Sequence, residues 1–393
     1  MKRLPKHCAN DSCRFHRSKL LPGMLIRYGT HHHRGYGRVQ RYLCKACGRT
    51  FSEQTLRLDY YAHKRLDYRL VLAAFINCGS IRGTARELRS SRSVVTNRLM
   101  RLSWKGLEEL SRLGREISVD EDLSADGFES FSVSQYFPNN IHLLAGVDSQ
   151  YVYAIDSTTI RRKGRMTDAQ RQRRDELEQL WRADPQGIRK SFSRIAEHAV
   201  RLHAESKRCR MVLYTDCKRE YATALGRSAA VRHWKEVGRF AHRTVSSRAH
   251  RGVDNPIFSV NYIDRELRKD LREHVRETVC YARNQLRQMQ RLVVYLAEHN
   301  SGKRFRINQP AADTTTHARV AGAAQSAVER IRFGRYTRRA LYSRVSLGEW
   351  AERIWRGVVP TPLQRGPTQQ PRHALESIPY PPHRNRLQAP AAG

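Results

Sequence analysis

The sequence predicts an α/β protein assembled from several parts, and three observations predict it. Two cysteine pairs lie within the first 47 residues, apolar residues recur at helical spacing over 66–115, and strand-like and helical stretches alternate over 117–300. A chain of 393 residues with 39% apolar content is long enough for two or three domains with buried cores. Its 73 Lys+Arg against 37 Asp+Glu leave a formal charge of +36. That balance excludes an ordinary acidic metabolic enzyme and calls for a polyanionic partner, which a Lys/Arg surplus binds through counterion release from phosphates.

Residues 1–58 read as a zinc ribbon. Cys8 and Cys13 form one pair and Cys44 and Cys47 another, separated by a 30-residue arm. A tetrahedral Zn²⁺ takes four soft ligands from two tight turns, and Cys44-x2-Cys47 followed by Gly48 is such a turn. The first pair is more widely spaced, so His7, His16 or one of His31 to His33 could replace a sulfur, and free cysteines are the remaining alternative. The three consecutive histidines read more simply as a solvated loop. The other cysteines, Cys78, Cys209, Cys217 and Cys280, are scattered, which fits a reducing compartment better than a disulfide framework.

Residues 64–115 read as a helix-turn-helix. Leu70, Val71, Ala74 and Phe75 mark a first helix that breaks at Asn77-Cys78-Gly79. Ser80 then caps a second helix carrying Ile81, Ala85 and Leu88. Val95, Leu99 and Leu102 form the inward stripe of a third, leaving Arg92, Ser93, Thr96 and Asn97 on the outer face as candidate DNA contacts. An ordinary three-helix bundle with solvated arginines is the competing reading.

From 117 onward the pattern predicts a three-strand meander over Ser118–Phe131, Ile141–Asp148 and Tyr151–Asp156. Two charged helices follow over about 165–207, Thr167–Arg182 and Gly187–Glu205, broken at Asp184-Pro185. Met211–Tyr214 is a short buried strand that leaves Asp216 at its C-terminal tip, where ligands bind in open α/β sheets. After Pro256, Asn261, Asp264 and Glu266 open a basic helix on which Lys269 and Arg272 are natural phosphate contacts. Asp120, Glu121, Asp122 and Glu129 read as flanking charges that are solvated or locally paired, and Asp148 and Asp156 as turn residues. His242, His250 and Arg251 lie in a Ser/Arg/His-rich stretch that could reach a phosphate or form a solvated loop. Residues 311–357 read as a helical extension. Residues 358–393 hold 8 of the 14 prolines with little apolar content, which predicts a disordered tail.

The ribbon, the helix-turn-helix, Asp126-Gly127-Phe128-Glu129-Ser130-Phe131, Tyr214-Thr215-Asp216-Cys217-Lys218-Arg219-Glu220-Tyr221 and Asn261-Tyr262-Ile263-Asp264-Arg265-Glu266-Leu267-Arg268-Lys269-Asp270 follow one another in that order. Together they resemble prokaryotic insertion-sequence transposases of the DDE class over about residues 8–310. The resemblance implies an RNase H-like catalytic domain over 117–310, in which two aspartates and a glutamate hold two Mg²⁺ or Mn²⁺ ions. By position it selects Asp126 and Asp216. For the third ligand, the resemblance favours Glu266, whose longer side chain is the usual ligand in this class, while an Asn-x-x-acid pattern would select Asp264 and Asn261 is a further option. Residues two apart on a helix diverge by about 200°, so Asp264 and Glu266 cannot both face the metals.

The implied activity is two-metal DNA cleavage at the element's inverted-repeat ends followed by strand transfer, on double-stranded DNA and by a homo-oligomer that pairs two ends. The helices of 167–205 are the expected pairing element. A DNA-binding regulator without catalysis, or a transposase relic that no longer cuts, is the competing class. No apolar run approaches the ~18–20 residues of a membrane span, and Met1-Lys2-Arg3 leads into no hydrophobic signal core, so a cytoplasmic, nucleoid-associated protein is expected.

Overall fold

The computed structural model describes residues 4–33, 35–206, 208–246, 248–275 and 278–364. The proline-rich tail lies, from residue 365, outside the described residues. The described chain forms two compact units, one from residues 4–65 with 338–345 and the other from 66–337 with 346–364. Among the described residues, no helix is long and apolar enough to cross a membrane.

In the first unit, β1 (Leu25–His33), β2 (Gly37–Cys44) and β3 (Thr50–Ser52) pair antiparallel in that order. Alternation along the end of β2 turns Tyr42 and Cys44 inward, and the Tyr42 and Phe51 rings meet at 5.7 Å. His31 to His33 do not form a loop. They end β1, paired with Val39, Arg38 and Gly37, because the chain turns only after them, with Tyr36 N donating to His33 O at 3.1 Å. Residues 338–345 belong to this unit rather than to one continuous extension over 311–357: Arg339 N donates to Leu56 O at 2.9 Å, and Leu341 enters the core beside Phe15, Leu25 and Phe51.

The second unit begins with α1 (Tyr68–Ile76), α2 (Ile81–Glu87) and α3 (Arg92–Glu116). Side-chain caps start all three: Asp67 accepts from Arg69 N, Ser80 from Gly83 N and Ser91 from Val94 N. Their core is Val71, Phe75, Ala85, Val95 and Leu99. The meander follows as β4 (Leu123–Ser132), β5 (Ser134–Gly146) and β6 (Val152–Thr159), then come α4 (Asp168–Leu180) and α5 (Gly187–Ala204). Beyond these lie β7 (Met211–Thr215), α6 (Arg219–Arg227), α7 (Ala229–Glu236), β8 (Phe240–Thr244) and α8 (Phe258–Asp270). The chain continues through α9 (Gln285–Ser301), α10 (His317–Val320), α11 (Gln325–Arg335) and α12 (Glu349–Arg356).

The five strands make one mixed sheet in the order β6-β5-β4-β7-β8, with β7 and β8 parallel to β4. Alternation along β4 sends Leu123 and Ala125 to one face, into a core with Phe192, Ile195, Ala196 and Ala199 of α5, Tyr221 and Leu225 of α6 and Val231 of α7. Ser124 and Ser130 face the other side, where Ser124 Oγ lies 2.6 Å from Ser259 Oγ of α8, and Gln288 of α9 donates to Ser130 Oγ at 3.1 Å. Each fully buried Leu, Ile or Phe in such a core contributes about 1.5–3 kcal/mol.

Two expectations change here. The second helix of 165–207 is no insertion: α5 covers the sheet as the crossover from β6 to β7, leaving only α4 peripheral, with Leu177 its one buried residue. The helix-turn-helix is also not a separate domain. α3 runs for 25 residues, and its second half packs on α9, where Gly106 meets Val293 so closely that a Cβ would stand 3.0 Å from Val293 Cγ1. Beside that contact, Arg335 of α11 bonds the buried Glu109 of α3 at 2.7 and 2.9 Å and also pairs with Glu298 of α9.

Candidate functional site

Cys8, Cys13, Cys44 and Cys47 come together, all four Sγ atoms lying within 4.8 Å of one another. Cys8 Sγ is 3.7 Å from Cys47 Sγ, and Cys13 Sγ is 3.9 Å from Cys44 Sγ. Four sulfurs at the Zn–S distance of about 2.3 Å around a tetrahedral ion stand about 3.8 Å apart, so the cluster could hold a structural metal such as zinc. The local fold explains the convergence. Gly48 adopts φ +66°, its amide donates to Cys44 O at 2.9 Å, and Asn10 N points at Cys8 Sγ at 3.4 Å. Burial pushes the Cys8 and Cys13 thiols up. At Cys47 burial acts the same way, but hydrogen bonds from the Arg49 amide, Asn10 and the neighbouring cysteines outweigh it and hold the thiol below its ordinary value. His16 is not a ligand: its Nδ1 is bonded to Cys8 O at 3.0 Å and its Nε2 to Ser343 Oγ at 2.6 Å. His7 is taken up by Ser18 O at 2.8 Å.

A second site lies at the C-terminal end of β7. β4 and β7 pair Leu123 with Leu213 and Ser124 with Tyr214, so Asp126 on β4 lies near the exit of β7, where Asp216 follows the strand's last residue, Thr215. The Lys218 ammonium lies between their carboxylates, 3.7 Å from Asp126 Oδ1 and 3.8 Å from Asp216 Oδ2. Tyr221, stacked on Phe192 at 3.9 Å, reaches Asp126 Oδ1 with its hydroxyl at 3.3 Å. Burial pushes the Asp126 carboxyl up; Lys218 opposes this, and the Asp216 charge adds to it. Gly127 has to be glycine, since a Cβ would stand 2.5 Å from Asn140 Oδ1 and 3.0 Å from the Tyr221 hydroxyl. Lys218 and Tyr221 are the residues that motif reading overlooked. Their place two and five positions after Asp216, on the turn and first turn of α6, is the signal that could have found them.

The three candidates on α8 separate. Glu266 accepts from Lys303 Nζ at 2.8 Å and faces His299 Nδ1 at 3.4 Å. Burial acts to raise its carboxyl, but those two partners outweigh it and hold it down to about 2. On the other flank Asp264 pairs with Arg268 at 3.4 Å, and that guanidinium lies 6.0 Å from the centroid of Phe128, two residues along β4 from Asp126. Asn261 shares this flank, its buried Nδ2 without a hydrogen-bond partner among the described residues.

The other acids have structural work. Glu121 is buried and accepts from Asp148 N and Ser149 N, both at 2.9 Å, and from the Tyr153 hydroxyl at 2.8 Å, so it is a staple rather than a flanking charge. Asp156 is no turn residue: it lies within β6 and holds Arg194 of α5 at 2.7 and 2.8 Å. His242 of β8 shares a hydrogen bond of 2.9 Å with Thr215, next to Asp216, and burial lowers its pKa to about 4 with help from Lys235.

Arg92 and Ser93 are exposed on the first turn of α3. Thr96 and Asn97 are half-buried, Thr96 donating to Arg92 O at 2.9 Å and Asn97 Oδ1 taken by Arg98 and Arg101, each at 2.8 Å. Lys269 is exposed at the end of α8, but Arg272 is not on that helix: α8 stops at Asp270 and Arg272 opens a separate 3₁₀ turn. The Cys78 amide of the turn between α1 and α2 donates to Asp270 O at 2.9 Å, which brings that turn beside these two cations.

No family model matches this chain, and no curated protein matches its sequence.

Proposed function

We propose that the chain is a DNA transposase of the DDE class, which binds the ends of an insertion sequence and cuts and joins strands at Asp126 and Asp216. The observation that carries this reading is that two partly buried carboxylates, Asp126 on β4 and Asp216 just past the end of the parallel β7, lie 3.7 and 3.8 Å from one ammonium. The sheet order, in which β5 alone runs against the other four strands, supports an RNase H-like catalytic domain. Two carboxylates sharing a single positive charge are a donor set of hard oxygens suited to Mg²⁺ or Mn²⁺. When bound, such ions supply activation of the attacking oxygen and stabilisation of the leaving one.

The chain's own residues do the rest. Asp126 and Asp216 orient the donor oxygens, and the Tyr221 hydroxyl and the Gly127 amide, 2.6 Å from Asp126 Oδ1, fix the Asp126 carboxylate. Asp264 is the better third ligand, with Asn261 beside it, because the Glu266 carboxylate is already committed to Lys303 and His299. The exposed first turn of α3, with Lys269 and Arg272, is the proposed grip on end DNA, and the ribbon, carrying a structural Zn²⁺, is a second proposed DNA contact. Pairing two ends calls for a homo-oligomer, and a cytoplasmic, nucleoid-associated location goes with that role.

With Mg²⁺ or Mn²⁺ the wild type should nick DNA carrying the element's ends. Asp126→Ala and Asp216→Ala should bind that DNA and leave it intact. Strand transfer at wild-type rates in both variants would remove the catalytic assignment and leave a DNA-binding regulator.

A further inference from the structure

Lys218 has a place in this site that the transposase reading leaves unexplained. Besides its two carboxylate neighbours, its ammonium lies 3.4 Å from Gly127 O and 3.3 Å from the Tyr221 hydroxyl, and 5.2 Å from the centroid of that ring. These contacts are acceptors or a negative ring face, and the ammonium stands at nearly equal distances, 3.7 and 3.8 Å, from one oxygen of each carboxylate. Carboxylates this close repel one another, and burial weakens the screening between them. One ammonium offsets that repulsion and leaves the pair a net charge of −1.

The contacts are also loose. A close charge-assisted N–H···O bond spans about 2.7–2.9 Å, whereas both carboxylate distances exceed 3.6 Å. The Lys218 side chain is 33% exposed, and its flexible four-carbon stem has an open route to solvent. A charge that bridges two acids without binding either tightly, and that is free to leave, is a poor structural strut. It is well suited to being replaced.

We propose that Lys218 is a resident counter-ion: its ammonium fills the space between Asp126 and Asp216 in the metal-free protein and gives it up to a divalent cation. The inference rests on reading these carboxylates as a cation site. It adds that metal entry is a competition, in which the carboxylates stay preorganised without metal and the incoming ion must displace a bound positive charge.

Mn²⁺ binding to the full chain without DNA, followed by the loss of free-ion paramagnetic resonance, tests this apart from any cleavage. Lys218→Gln should bind Mn²⁺ about tenfold more tightly than wild type, while Lys218→Arg, which keeps the charge, should show no such gain. Equal Mn²⁺ affinity in Lys218→Gln and wild type overturns the proposal. Should Lys218→Gln fail to fold, wild-type protein decides: saturating Mn²⁺ should speed acylation of the Lys218 amine several-fold and leave Lys269 unchanged, and an unaltered Lys218 rate overturns the proposal equally. Failure of the underlying reading looks different, because Mn²⁺ binding would then be identical in wild type, Asp126→Asn and Asp216→Asn.

Discussion

Glu266 accepts the Lys303 ammonium at 2.8 Å on the flank of α8 opposite to Asp264, which pairs instead with Arg268. Glu266→Gln should therefore keep DNA nicking near wild type, while Asp264→Asn should lose about 100-fold or more. The same pair gives a stability signature. The folded Glu266 carboxyl is held down to about 2, below its ordinary value near 4.3, so its contribution is present above the unfolded value and is lost as pH falls through the folded one. Urea unfolding should show wild type more stable than Glu266→Gln at pH 7, with the gap closing between about pH 4.5 and 2.

Arg335 is buried between Glu109 and Glu298, and its removal would strand two carboxylates at the junction of α3, α9 and α11. Arg335→Met should cost about 3–5 kcal/mol in denaturant unfolding, and Arg335→Met with Glu109→Met should recover much of the loss. A double variant no more stable than the single one would mean that the guanidinium's packing matters more than its charge.

The four-cysteine cluster should hold about one Zn²⁺ per chain, measurable by elemental analysis of the purified protein. Cys44→Ser or Cys47→Ser should abolish that stoichiometry and, with it, binding to end DNA. Because the Cys8 and Cys13 thiols are pushed up without metal, loading requires their deprotonation, and metal retention should fall as pH is lowered.

Arg92, exposed on the first turn of α3, should act on DNA mainly through its charge. Arg92→Ala should weaken binding to end DNA and reduce the slope of log affinity against log salt by about 1, as loss of one phosphate contact requires. An unchanged slope with relaxed sequence preference would assign Arg92 to a base edge instead.

Where chemistry is local, the sequence was readable. Ser80 and Ser91 announce the helix starts they cap, Met211–Thr215 is buried at strand period, and Cys44-x2-Cys47-Gly48 encodes its own turn. What escaped reading depends on partners far along the chain. Glu121 is a staple only because the turn at Asp148 and Ser149 closes over it, and Asp156 is fixed in β6 only because Arg194 arrives from α5. α5 looked like a charged insertion because its apolar stripe of Phe192, Ile195, Ala196 and Ala199 is masked by Arg, Lys and His on the other face. Side-chain type favours Glu266, and no local feature reveals that Lys303, 37 residues later, returns to claim it.

The 25-residue α3 has one further consequence. At 1.5 Å per residue it is about 37 Å of continuous helix, with Arg92 and Ser93 exposed at one end and its far half clamped against α9. On the proposed transposase reading, the helix would act as a gauge block between the base pairs that are read and the phosphate that is cut. Inserting one base pair between them would turn that phosphate by about 35° around the duplex axis, so the cleavage position should tolerate sequence changes in the spacer far better than changes in its length.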